Sequence, residues 1–269
     1  MRIEEAIEGI ARQKEEAARL LKSIDISIWL GKAQHFPLAA ELDVSLIQDV
    51  LSRYAMRGAL LSHWDGLTIS AQDGNRALVE VKEKLPENVY TIWTGLPLIP
   101  REQDPVPGFG KPDSHIRGVR LFPKSHHYSL APWVVGELCQ WCITHGLPLF
   151  LWHVEIEWEA VYNLAQHFPE LKIVIESQWQ KILYHNRNFC SLMKTNDNVF
   201  LETSNFVGQD FITQGVKTFG AERLLFGSFL PVNDPWTSIG MIVDADISNQ
   251  EKMLVAGENM NKILKGVRI

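Results

Sequence analysis

Polar residues able to do chemistry gather at the ends of short apolar runs. His153 ends the run Leu147–His153 with Glu155 two positions on, and Glu202 lies near the end of the run Asn198–Thr203. An imidazole beside a carboxylate suits acid–base work. His153 would be the base or acid, with Glu155 or Glu202 fixing its tautomer and charge. Arg120 and Lys124 would hold an anionic substrate group, the arginine by a two-point contact. His63, His126, Glu176, Ser177 and Trp29 complete the candidate substrate-binding set. Plainer readings stand beside these. A histidine at a strand end is often only hydrogen-bonded. Arg120 can pair internally with Glu176 or Glu202, because buried charges need partners with or without catalysis. His126 and His127 can be loop surface. A relocated divalent ion such as Zn²⁺ would use His126, His153 and a carboxylate, but no spacing forces those groups together. The residues therefore assign no metal.

These positions need a scaffold that brings many strand ends together. The strand candidates are Ser23–Trp29, Gly58–His63, Val89–Thr94, Ile116–Phe122, Leu147–His153, Lys172–Ser177, Asn198–Thr203 and Arg223–Ser228. Helical patterns separate them, near Ser45–Met56, Asn75–Lys84, Trp133–His145, Trp158–His167, Gln180–Lys194 and Asp210–Phe219. The connection Leu96–Ser114 is rich in Pro and Gly and reads as a long loop. An amphipathic helix built on Ile3, Ala6, Ile7, Ile10, Ala17, Leu20 and Leu21 precedes the first strand. Two more, near Pro235–Asp244 and Asn249–Lys265, end the chain. Strands alternating with helices, without hairpin signals, predict a parallel sheet, and eight strands close a (β/α)8 TIM barrel. An open doubly wound sheet is the alternative, but no G-x-G-x-x-G follows the first strand. We expect one domain over residues 1–269, with its barrel strands inside 23–229. Catalytic groups of such a barrel sit at the C-terminal strand ends, where the polar residues above fall.

Composition narrows the class. With 46% hydrophobic and 22% charged residues the chain is globular. Its net charge of −6 argues against a nucleic-acid or anionic-membrane partner. No apolar stretch spans a bilayer, and the charged first 22 residues lack a signal-peptide core. Three cysteines fit a reducing compartment, so the expected location is cytoplasmic. Cys139 and Cys142 form a C-x-x-C inside a helical pattern, where small buried core residues are the favoured reading over redox or metal chemistry. Trp29, Trp64, Trp93, Trp152 and Trp179 fall at or near strand ends. They read as packing, or together as an aromatic pocket for a small-molecule ligand. Barrels often associate, which allows a homodimer.

Several segments carry a resemblance. They are Ile24–Gly31, Gly118–Pro123, Leu147–His153, Phe168–Ile175, Asn198–Ser204, Phe219–Ser228 and Ala256–Asn259. In order and spacing, over about residues 23–266, the chain resembles the amidohydrolase-related TIM-barrel hydrolases and decarboxylases. The resemblance implies a metal held by a His-x-His on strand one, a His after strand five, a His after strand six and an Asp after strand eight. The chain has Ser27, Trp29, His153, Ser177 and Phe229 at those positions. One ligand of five remains, so the expectation is a divergent member with a degenerate metal site. Two functions follow. One is a hydrolase or lyase on a small organic acid or amide, working without the usual metal. The other is an inactive barrel that binds a ligand or a protein.

Overall fold

A computed structural model describes residues 3–99 and 111–269. Its eight strands are β1 Ile24–Leu30, β2 Gly58–His63, β3 Val89–Thr94, β4 Ile116–Leu121, β5 Leu149–Trp152, β6 Ile173–Glu176, β7 Val199–Glu202 and β8 Leu224–Leu225. They follow one another in chain order, and every neighbouring pair is parallel. The N–H of Ile26 donates to the Phe226 carbonyl at 3.3 Å, joining the last strand to the first. The fold is a TIM barrel. The helices are α1 Ile3–Leu21, α2 Ile47–Arg53, α3 Asp65–Thr68, α4 Ala71–Val81, α5 Pro132–His145, α6 Trp158–His167, α7 Asn186–Thr195, α8 Phe211–Phe219, α9 Pro235–Val243, α10 Asn249–Met253 and α11 Asn259–Lys265. None of them is long and apolar enough to cross a membrane.

Strands buried on both faces explain the continuous apolar runs. In β5, Leu149 and Leu151 pack outward with the helices, while Phe150 turns inward beside Ile24, Leu60, Ile92, Val174 and Leu225. Trp152, two residues on, faces inward one layer higher. Gly118 is bare because a Cβ there would lie 2.4 Å from the Phe150 ring.

Three elements depart from the sequence expectation, each for a backbone reason. β1 holds an extra residue: Asp25 lies opposite Ala59, yet Ile28 lies opposite Leu61. This bulge lets both Ile26 and Ser27 face the interior. β8 is two residues long because the N–H groups that follow leave the ladder. Phe226 donates to the Val255 carbonyl at 3.0 Å, Ser228 to Asp25 at 3.1 Å and Phe229 to Ser27 at 2.8 Å. The final helical stretch contains a π turn, Leu254–Glu258. Its Val255 carbonyl serves Phe226, and a Cβ on Gly257 would press on the Lys22 carbonyl at 2.8 Å, so the turn packs onto the start of β1. Of the expected loop Leu96–Ser114, residues 100–110 lie outside the described residues.

The cysteines of the C-x-x-C are fully buried in α5, and burial raises both thiols.

Candidate functional site

Arg120 reaches inward from β4 and is 1% exposed. Its Nε donates to Glu176 Oε2 at 2.8 Å and its Nη2 to Oε1, while Nη1 donates to Ser62 Oγ. Glu176 Oε1 also accepts the side-chain amide of Gln178 at 2.9 Å. Burial pushes Glu176 up, and the guanidinium opposes that push. Gln178 connects this pair to the indoles: its Oε1 accepts Trp29 Nε1 at 3.0 Å and its backbone carbonyl accepts Trp152 Nε1 at 2.9 Å. The Arg120 guanidinium lies 4.4 Å from the Trp29 ring centroid. Each nitrogen of the Arg120 guanidinium thus donates to a protein group.

Aromatic rings fill the mouth above this pair. Trp29 stacks on Trp64 with centroids 4.5 Å apart, and Phe122 and Trp152 lie 6.2 and 5.9 Å from it. Phe229 packs against Trp64 and Trp152 at 6.0 and 5.8 Å. All five are at most 1% exposed. Phe36 and the half-exposed Trp179 lie over them. Trp93 stands apart, packed outward with its Nε1 on Thr91 Oγ1.

Glu202 lies deeper and is fully buried. Four donors surround it: the Ser177 and Ser204 N–H groups at 3.0 and 2.6 Å, and their hydroxyls at 3.2 and 3.0 Å. Ser177 Oγ accepts the Asn205 N–H at 2.8 Å in turn. A Cβ on Gly227 would meet Glu202 Oε1 at 2.1 Å and Ser27 Oγ at 2.5 Å. Gly227→Ala is therefore expected to cost about 1–3 kcal/mol by overpacking, read as a shift in the urea midpoint. An unchanged midpoint would show that this contact yields freely.

Burial and the neighbouring Glu176 charge push Glu202 up to about 8. His153 is driven the other way, to about 4, chiefly by burial. The signs determine a pH profile. A carboxyl raised in the folded state keeps a proton that the unfolded chain loses above about 4.5, so its contribution falls as pH rises toward 8. A histidine held neutral contributes stability that grows as pH rises from about 4 to 6.5. The two oppose each other between 4.5 and 6.5, and of the two only Glu202 contributes above that. Stability should fall between pH 6.5 and 8, by up to about 1.4 kcal/mol per unit. Glu202→Gln should flatten that fall in denaturation curves. An equal slope in the variant would move the effect to another group.

His153 is 2% exposed. Its Nδ1 donates to the backbone carbonyl of Glu176 at 3.0 Å, so neither Glu155 nor Glu202 sets its tautomer. Its Nε2 is buried without a hydrogen-bond partner among the described residues. Glu155 instead accepts the N–H and hydroxyl of Ser125, both at 2.8 Å. Lys124 sits on the rim, paired with Glu157 at 3.1 Å, and does not join Arg120 around one anion. A cavity of about 420 Å³ on that rim is lined by Lys124, His127, Tyr128, Glu155 and Glu157, but not by Arg120, His153 or Glu202. His126 packs edge-on to Phe122, and His63 Nδ1 accepts the Asp65 N–H at 3.2 Å. Burial holds both imidazoles below their ordinary range. The sequence candidates thus divide into an inner set (Arg120, Glu176, Trp29, Ser177, Glu202, with His153 beside them) and a rim set (His63, Lys124, His126, Glu155). Sequence reasoning missed Gln178 and Ser62. Gln178 shares the inward face with Glu176 by strand parity, which was the available signal.

Four of the five positions that the resemblance assigns to a metal do not fit one. Ser27 Oγ and Ser177 Oγ already accept backbone N–H groups, and Trp29 and Phe229 offer no lone pair for a divalent ion. Among the described residues no three His, Cys, Asp or Glu side chains are grouped to hold an ion.

Fold and strand ends together define a barrel of the amidohydrolase type. The amidohydrolase sequence profile matches residues 111–265, more than half of the chain, and the chain belongs to that family. No curated protein matches it. It is similar to an uncharacterized TIM-barrel protein from Bordetella bronchiseptica, with a TM-score of 0.71 and 14% identity, covering 91% of this chain and 98% of that one. Amidohydrolase 2 from Bifidobacterium longum subsp. infantis has a TM-score of 0.66 and 16% identity over 90% of this chain and 98% of its own. A 5-carboxyvanillate decarboxylase from Novosphingobium aromaticivorans, complexed with manganese, has a TM-score of 0.62 and 12% identity over 90% and 96%. At such identities these likenesses speak for the fold alone.

Proposed function

We propose that this barrel is a non-catalytic member of its family that serves as a binding module. One observation carries the reading: the five rings of Trp29, Trp64, Phe122, Trp152 and Phe229 fill the space at the strand ends where a substrate would sit. The Arg120 guanidinium, bonded to the protein through each of its three nitrogens, and the four donors around Glu202 support it. The test is turnover of simple amides and hydroxybenzoates by tag-free protein, with and without added Mn²⁺ or Zn²⁺. No turnover above the His153→Ala variant is expected. Turnover that disappears in that variant would defeat the reading.

The Nε2 of His153, unpartnered among the described residues, favours a second reading, a metal-free lyase or hydrolase acting on a small organic acid or amide. With Nδ1–H bound to the Glu176 carbonyl, Nε2 carries a free lone pair and is the basic atom. Glu202, protonated up to about pH 8, is the acid. This chemistry requires the aromatic cluster to open. Its mark would be kcat/KM rising with pH near 4 and falling near 8. A flat profile would remove it.

A further inference from the structure

The face of the barrel opposite the mouth carries a cavity of about 270 Å³. Arg57, just before β2, Arg117, in β4, and Lys265, at the end of α11, all line it. Asn88, Tyr90 and Asn261 supply its neutral polar wall, and no carboxylate among the described residues lines it. Arg117 is held in place. Its guanidinium lies 4.2 Å from the Tyr90 ring centroid, and its Nη1 donates to the Ser114 and Ile116 carbonyls at 2.8 Å each. Among the described residues none of the three cations forms an ion pair. Arg57 Nη2 is buried and has no hydrogen-bond partner among the described residues.

A buried guanidinium N–H without an acceptor is costly, and three cations around one cavity repel each other. One oxyanion would relieve both. Planar guanidinium groups match carboxylate and phosphate oxygens in two-point contacts. We propose that this cavity binds a small ligand through its phosphate or carboxylate group, with Arg57 and Arg117 as the clamps and Lys265 as the outer charge. Arg57 and Asn88 also line an adjoining cavity of about 380 Å³ that carries one carboxylate, Glu87, and gives room for the organic part of such a ligand. The chain's net charge of −6 disfavours a long polyanion. The site holds whether or not the mouth catalyses.

The experiment is calorimetric titration of the full chain with inorganic phosphate and, separately, with succinate, at low ionic strength. Sodium chloride at matched ionic strength is the control. Saturable one-site binding with Kd below about 1 mM is expected for at least one probe. Phosphate alone would indicate a phosphorylated ligand, and succinate alone a carboxylate. Arg57→Gln combined with Arg117→Gln should weaken binding at least tenfold. Lys265→Met, at an exposed position, should weaken it about threefold. Heats no larger than those of chloride, or affinities unchanged in the Lys265 variant and the double variant, would overturn the proposal.

Discussion

Arg120→Met is expected to destabilise the barrel by about 3–5 kcal/mol, the usual cost of breaking a buried pair from one side. The variant leaves Glu176, which is 0% exposed, with Gln178 as its remaining side-chain donor and no counter-charge. It also strips Ser62 of its donor and Trp29 of the cation under its ring. In a protein of this size that loss corresponds to a fall in Tm on the order of 10 °C. The partner variant makes the prediction specific. Arg120→Met with Glu176→Leu removes both charges, and much of the lost stability should return, because paired buried charges contribute little net. A substrate-binding arginine open to water would behave otherwise: its loss would cost well under about 1 kcal/mol, and the second substitution would restore nothing. Urea denaturation of the two variants and the parent decides between them.

Trp29→Ala should be nearly as damaging, at about 3–5 kcal/mol, for a different reason. The indole is 0% exposed and packs on Trp64, Phe122 and Trp152, so its removal leaves a ring-shaped void. The bond from its Nε1 to Gln178 is lost as well. A void of that shape makes the variant rescuable. Added indole should raise the Tm of Trp29→Ala, by binding the folded state, and leave the parent unmoved. If Trp29→Ala is as stable as the parent, or if indole raises neither, the rings do not close the mouth as described.

The sequence makes much of the barrel readable. Runs such as Leu149–Trp152 are apolar on both faces because helices cover one side and the barrel interior the other. The close approaches at Gly118, against Phe150, and at Gly257, against the start of β1, were not read from the sequence. The bulge in β1 was not readable, since an extra residue leaves no periodicity mark among Ile24, Ile26 and Ile28. The site was readable as a cast of residues but not as an arrangement. Strand parity places Arg120 and Glu176 at neighbouring inward positions, and their ion pair is among the alternatives the sequence allows. It cannot show that a backbone carbonyl serves His153, or that Glu155 turns away to Ser125, because both depend on loop paths. Gln178 is the clearest omission. An amide is not a usual acid–base candidate, yet this one ties the Arg120–Glu176 pair to two indoles.

In the proposed reading, packed rings occupy the place where the family's chemistry would occur. Anomalous diffraction at the manganese and zinc edges, from crystals soaked in both ions, tests it most directly. No peak is expected at the strand ends, and the density should show Trp29 stacked on Trp64. A peak ligated by His153, with Trp29 swung aside, would contradict it.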